Sequence, residues 1–167
     1  MINAFIIHDE KNSSKNQCET LVSELREKKK VKCDYLIIKK NFFHYFPNVL
    51  IFFFLNLKNF FKISKKKDYD LILSCGRSAA PYNLFFSKKD YTQSYHILDP
   101  YFRRYQFTNI IIPYHDYKKM RIYKNTIFTI GALSKKINFL KKRKQLKGKK
   151  IVSFLIGGSG KSSTLTI

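Results

Sequence analysis

Seven short apolar runs recur along this chain, and the last five of them end in glycine, proline or a small polar residue. They are NAFII (3–7), CDYLII (33–38), DLILS (70–74), YHIL (95–98), NIII (109–112), TIFTI (126–130) and KKIVSFLI (149–156). None alternates polar with apolar residues in the manner of a strand with one face in water. Continuous apolar strands need cover on both faces. Helical patterns stand between several of them: 15–29, with Cys18, Leu21, Val22 and Leu25 on one side, and a helix beginning after the turn at Cys75–Ser78 and running to Phe86. Lys28, Lys29 and Lys30 suit the C-terminal end of the first helix, where cations meet the negative end of the dipole. Strands alternating with helices at short spacing predict an α/β fold, a Rossmann-like parallel sheet with right-handed crossovers. A basic helix is expected over 133–145, leading into a linker, because Ser134 to Lys150 holds nine bases and no acid.

The segment FFHYFPNVLIFFFLNLKNFF (42–61) fits that alternation least well. It lies in a charge-free window of 17 residues, Asn41 to Leu57. A spanning helix needs roughly 20 mostly apolar residues, and this stretch carries His44, Pro47, Asn48 and Asn56. Three readings stand: a core helix after Pro47, an apolar face resting on a membrane surface, and, least favoured, a transmembrane helix. Lys58, Lys62 and Lys65-Lys66-Lys67 flank it as a surface-bound amphipathic helix requires.

Composition limits the partners. Of 33 basic residues six are Arg and the rest Lys, against 11 acids, for a net charge of +22 over 167 residues. Such a field attracts polyanions. The abundance of Lys, Asn, Ile, Phe and Tyr is also what an AT-rich genome produces without selection for charge. The bases are scattered and no recognition motif appears, so no specific nucleic-acid partner is expected. Three widely spaced cysteines, Cys18, Cys33 and Cys75, give neither a disulfide framework nor zinc-ligand spacing. No metal site and no cofactor are expected. The N-terminus lacks the basic region and long apolar run of a signal peptide, and a cytoplasmic location follows as the expectation.

In open α/β sheets ligands collect beyond the carboxyl ends of the strands. That rule selects Ser74–Ser78, Asp99-Pro100, Pro113–Asp116, Gly131-Ala132 and Gly157–Ser162. In the first, Gly76 allows a tight turn, Ser78 can cap a helix and Arg77 supplies a fixed charge, which together suit a phosphate or an acidic sugar. The alternative is a plain helix cap with a surface arginine. Cys75 as a nucleophile is a weaker option. His115 and Asp116 are candidates for a general base and its orienting carboxylate, or else ordinary loop polars. Asp99, before a proline, is either a ligand group or a turn former.

The C-terminal GGSGKSS (157–163) imitates a phosphate-binding P-loop. The true loop would place its first glycine at position 155, which is Leu155. The enclosing loop is too short for an ATPase. A strand followed by Gly-Gly-Ser can still bring backbone N–H groups to a diphosphate.

Taken together, DLILSCGRSAAP (70–81), HILDP (96–100), IIIPYHD (110–116) with TIGAL (129–133), and VSFLIGGSGKSSTLT (152–166) resemble the "elongated mitochondria" family of plant mitochondrial-fission proteins and their bacterial relatives. The resemblance runs from about Asp70 to Thr166, with residues 1–69 matching only in general layout. The bacterial members are usually regarded as glycosyltransferases of the GT-B type, with two Rossmann-like domains facing a cleft. The resemblance implies that residues 1–148 are the N-terminal, acceptor-side domain and that 149–167 open a C-terminal domain which is otherwise missing. It implies that Gly157, Gly158, Ser159 and Lys161 hold the donor diphosphate, that Ser74, Gly76, Arg77, Ser78 and Asp99 meet acceptor or phosphate groups, and that His115 or Asp116 is the base. The partners implied are a nucleotide-sugar and a cell-envelope acceptor, with catalysis independent of metal and a peripheral contact with anionic membrane at the inner face. A fragment of this extent is expected to be inactive alone. The plant branch acts as an adaptor recruiting a dynamin-related protein, so the resemblance equally implies a non-enzymatic, membrane-associated alternative.

Overall fold

A computed structural model describes residues 1–39, 45–61, 68–87, 91–119 and 123–134. One compact unit comprises Met1–Lys136, and a second comprises Ile137–Ile167. The basic helix expected over 133–145 falls almost wholly, and the strand and Gly-rich loop over 149–167 wholly, outside the described residues.

Six strands form one all-parallel sheet: β1 (Ile2–Asp9), β2 (Val31–Ile38), β3 (Leu71–Cys75), β4 (Gln93–Ile97), β5 (Asn109–Pro113) and β6 (Thr126–Thr129). Their order across the sheet is β2-β1-β3-β4-β5-β6. Each expected strand up to residue 130 is present within a few residues of its place. The three helices are α1 (Asn12–Lys28), α2 (Asn48–Phe61) and α3 (Ala80–Phe86). Helix α1 starts three residues before the expected position, because Asn12 and Ser13 continue the turn that leaves β1.

Side chains alternate between two apolar layers. Ala4 and Ile6 of β1, Leu73 and Cys75 of β3 and Ile97 of β4 pack against Cys18 and Val22 of α1. The opposite residues, Phe5, Ile7 and Ile72, join Ala79 and Ile38. Further along that second face, Ile110 and Ile112 of β5 meet Ala80 and Leu84 of α3, with Phe102, Phe107 and Phe52 of α2. Helix α1 therefore covers β1, β3 and β4 on one face, and α3 with Phe52 of α2 covers β5 on the other.

The expectation that every strand is covered on both faces fails at the edges. Tyr35 and Ile37 of β2, and Ile127 and Phe128 of β6, are exposed. An edge strand has a sheet neighbour on one side only, and no helix reaches far enough to hide both of its faces.

The apolar segment after Pro47 is helical, but Val49, Leu50, Phe53, Phe54 and Leu57 are exposed, so it is not a helix buried in the core. Among the described residues no helix is long and apolar enough to cross a membrane, so the transmembrane reading is withdrawn. Fourteen residues of α-helix reach only about 21 Å.

Candidate functional site at the carboxyl edge of the sheet

In a parallel sheet all strand ends of one kind lie along one edge. The segments following β3, β4, β5 and β6 thus line up in the sequence of the sheet, and four of the five selected places share that edge. The fifth, Gly157 to Ser162, lies outside the described residues. The chain order reverses between β1 and β3, since β2 lies beyond β1 on one side and β4 beyond β3 on the other. Loops leave in opposite directions at such a point and open a crevice there.

The end of β1 supplies the residue that the sequence reading passed over as a mere strand end. Asp9 pairs in register with Ile38 of β2, and its neighbour His8 pairs with Cys75 of β3. The Asp9 carboxylate is largely buried, and its Oδ1 accepts a hydrogen bond from the Lys11 backbone at 3.3 Å. It leans over Gly76. A Cβ on Gly76 would lie 2.8 Å from Asp9 Oδ2 and 3.0 Å from Cγ. Gly76 also sits at φ +92°, where side chains are strained. Glycine is required here twice over, by its backbone angle and by the carboxylate above it.

That carboxylate changes the chemistry of the turn. The segment was expected to present bare N–H groups to an anion, with Ser78 as cap. No side-chain cap hydrogen bond forms at the short 3-10 turn Arg77–Ala79 or at α3. Ser78 is therefore not the cap. The chain instead turns through Ala79 N–H to the Gly76 carbonyl at 3.0 Å and enters α3 with proline in its first turn. Arg77 is exposed, and its carbonyl accepts from Asn48 Nδ2 at 3.0 Å. The switch point thus holds a largely buried carboxylate over Gly76, and the next residue, Arg77, is exposed.

Two expected residues turn inward. Ser74 is completely buried on the α3 side. Its hydroxyl lies 2.6 Å from His96 Nδ1 and 2.6 Å from Asn83 Nδ2, which donates to it. Asn83 Oδ1 in turn accepts from Ser94 Oγ at 2.7 Å. This network knits β3 and β4 to α3, so Ser74 is a core residue rather than a crevice one. His96 Nε2 has no hydrogen-bond partner. Burial pushes His96 down to about 3, so it is neutral near pH 7. Cys75 points to the other layer, buried beside Cys18, whose thiol is pushed up by the hydrogen bond with Cys75 and by burial. Cys75 itself is fully buried in that layer, out of reach of a substrate, and the nucleophile option is withdrawn.

After β4 the chain makes a compact, strained loop. Leu98, Tyr101 and Arg103 all have positive φ, at 71°, 50° and 38°. Such conformations persist only where surroundings enforce them. Here Asp99 does so. Its Oδ1 accepts from Arg104 Nε at 2.7 Å and from the Tyr101 backbone at 2.9 Å, and its Oδ2 accepts from Arg104 NH2 at 2.6 Å. The hydrogen bonds that Arg104 donates to Asp99 raise its guanidinium above its ordinary value. Asp99 is a turn former locked in a bidentate ion pair. Asn125 Nδ2 closes the same loop by donating to the carbonyls of Arg104 and Phe107 at 2.9 and 2.8 Å. Asn48 Nδ2, besides holding Arg77, reaches the Pro100 carbonyl at 3.3 Å. Neither Arg104 nor the two asparagines stood out in the sequence. Only the Asp-Pro pair hinted at a built turn.

The segment after β5 is different. His115 Nε2 lies 3.8 Å from Asp116 Oδ2, too far for a hydrogen bond, and the two side chains are 66% and 47% exposed. The structure does not bring them together as a base with its orienting partner. Gly131, after β6, has nothing within 4 Å of its would-be Cβ. Among the described residues no cluster of His, Cys, Asp and Glu could hold a metal ion.

A family model described as Mitochondrial fission ELM1 matches residues 14–167. The chain belongs to that family. The match begins far upstream of Asp70, so α1, β2 and α2 share in it along with the landmarks of the C-terminal half. It starts after β1, which leaves Asp9 just outside the matched segment. No curated protein and no solved structure matches the chain.

Proposed function

We propose that the chain is a glycosyltransferase-like member of the mitochondrial-fission family, its described unit being the acceptor-side domain of a GT-B arrangement. The observation that supports this is the switch point, where the Asp9 carboxylate leans over Gly76 and the chain continues into an exposed Arg77. Sugars are recognised by carboxylates that accept from their hydroxyls. In the proposed transfer Asp9 accepts the proton of the acceptor hydroxyl as its oxygen bonds to the anomeric carbon. The bond from that carbon to the donor's phosphate oxygen breaks, and the nucleoside diphosphate leaves with both electrons. Arg77 pairs with a phosphate or with an acidic group on the acceptor. Gly157, Gly158, Ser159 and Lys161 are assigned to the leaving diphosphate, where backbone N–H groups and one cation offset the developing charge. No metal is called for in this scheme. The substrates are a nucleotide-sugar and a cell-envelope acceptor, and the reaction is assigned to the cytoplasmic face of a membrane.

Calorimetry with a panel of nucleotide-sugars tests the proposal. Binding to one of them is expected, with Lys161→Ala weakening it roughly tenfold, as loss of one charge-assisted contact does. With the chain joined to the C-terminal domain that the resemblance implies, Asp9→Asn is expected to keep donor binding and lose transfer. Absence of binding to every nucleotide-sugar would count against the reading.

A second reading is a non-enzymatic adaptor. It is favoured by the open, solvent-facing pair His115 and Asp116, which offers no preorganised base. Donor binding without any Asp9-dependent turnover would favour it.

A further inference from the structure

The outward face of α2 poses a physical problem that the crevice does not address. Asn48 and Ile51 turn inward, and Phe52 packs on Phe102 with ring centroids 5.5 Å apart. One step around the helix, Val49, Leu50, Phe53, Phe54 and Leu57 form a stripe at the spacing i, i+1, i+4, i+5, i+8. All five are exposed, from 41% at Leu50 and Phe54 to 56% at Val49. A helix that is apolar all round belongs in an apolar surrounding. Helix α1, on the other side of the sheet, shows the ordinary alternative, with Lys15, Asn16, Arg26 and Lys28 outward.

We infer that this stripe is a docking surface for an anionic lipid bilayer, with α2 lying in the plane of the headgroups. The charge around it decides the occupant. Arg103 is exposed and its guanidinium lies 4.9 Å from the Phe52 ring centroid, so it borders the helix. Arg77, exposed, is tied to the first turn of α2 through Asn48. Tyr45, 88% exposed, precedes the helix by three residues. In the sequence no acid occurs from Asn41 to Lys67, and Lys58, Lys62 and Lys65-Lys66-Lys67 follow the stripe along the chain. An apolar stripe edged by aromatics and cations matches a bilayer, which offers hydrocarbon beneath a layer of negative headgroups. A second copy of the chain would instead bring a net charge of +22 against +22. An acidic protein would satisfy the rim but not five adjacent apolar side chains. The five stripe residues take no part in the proposed crevice, with which the surface shares Arg77 alone, and the test does not depend on catalysis.

The chain contains no tryptophan, so a single introduced one reports its own surroundings. Phe53→Trp probes the stripe, and Asn16→Trp probes α1 on the opposite layer. Each full-length variant is mixed with vesicles of phosphatidylcholine alone, or with phosphatidylserine added, some carrying brominated acyl chains. With the acidic vesicles, the fluorescence of the Phe53→Trp variant is expected to shift to the blue and be quenched by bromine, while that of Asn16→Trp is unaffected. Raising the salt is expected to weaken binding roughly tenfold or more, since several cations near the surface contribute. The double variant Phe53→Ser/Leu57→Ser is expected to lose vesicle binding with an unchanged melting curve. Should that variant unfold, the two tryptophan variants still decide. Equal binding to neutral vesicles, equal responses from both tryptophan variants, or no response from either overturns the inference. So does a blue shift of the Phe53→Trp variant that grows with protein concentration without lipid, which identifies a second copy as the occupant.

Discussion

The turns after β3 and β4 and the segment after β5 lie along one edge of one sheet, yet they are built on opposite plans. The first two are tied at every level. Gly76 is clamped beneath Asp9, Asp99 grips Arg104 and the Tyr101 backbone, and Asn48 spans from Arg77 to Pro100. Below them Ser74, His96, Asn83 and Ser94 form a buried network. In the third, Tyr114 and His115 are exposed, the Asp116 side chain is half-exposed, and His115 and Asp116 do not hydrogen-bond. A site that must hold geometry during chemistry needs supporting contacts, because each unfixed side chain costs entropy to order. The difference favours the proposed site at the β1–β3 switch point over one on the β5 segment.

That contrast can be broken by substitution. Gly76→Ala has the largest expected effect. It forces a side chain to positive φ and into the Asp9 carboxylate, and a loss of about 2–4 kcal/mol in urea unfolding is expected. Were Gly76→Ala as stable as the parent, the clamp would not exist. Arg104→Ala comes next, at about 2 kcal/mol, since it leaves the largely buried Asp99 without its charge-assisted partner.

Acid titration sharpens the same contrast. His96 is neutral in the folded chain down to about pH 3, against an ordinary value of 6.5. Its contribution to stability is complete above pH 6.5 and is lost as pH falls from there toward 3. The slope from this residue reaches at most about 1.4 kcal/mol per pH unit. His96→Gln, which does not titrate, is expected to show a correspondingly shallower acid loss in urea unfolding followed across that range. Identical slopes for parent and variant would mean that His96 is not held neutral. The smallest effect is expected of His115→Ala, within about 0.5 kcal/mol of the parent, as for an untethered surface side chain. A loss as large as that of Arg104→Ala would erase the distinction between the two kinds of turn.

The sheet was legible in the sequence because its central strands are buried on both faces and must be continuously apolar. The runs at 70–74 and 109–112 sit almost where β3 and β5 do. The edge strands read the same way for a different reason: β2 and β6 leave Tyr35, Ile37, Ile127 and Phe128 exposed, and composition alone does not reveal that. The glycine turn at 76 was legible too, and so was the Asp-Pro turn at 99. What sequence could not supply was which way alternate residues point. Ser74 and Cys75 both fall at a strand end, yet one joins the α3 layer and the other the α1 layer. Nor could it supply Asp9 above Gly76, because those residues are brought together by parallel pairing of strands far apart in the chain. Asn48, Asn125 and Arg104 were invisible for the same reason: their partners are loop carbonyls and a carboxylate fixed only by the fold.

Amide NMR of the chain titrated with the panel of nucleotide-sugars tests the central claim most directly. With the sugar that binds, the signals of Glu10, Gly76 and Arg77 are expected to move together while those of Tyr114, His115 and Asp116 stay in place. Shifts confined to Tyr114–Asp116, with the switch-point amides unmoved, would contradict it.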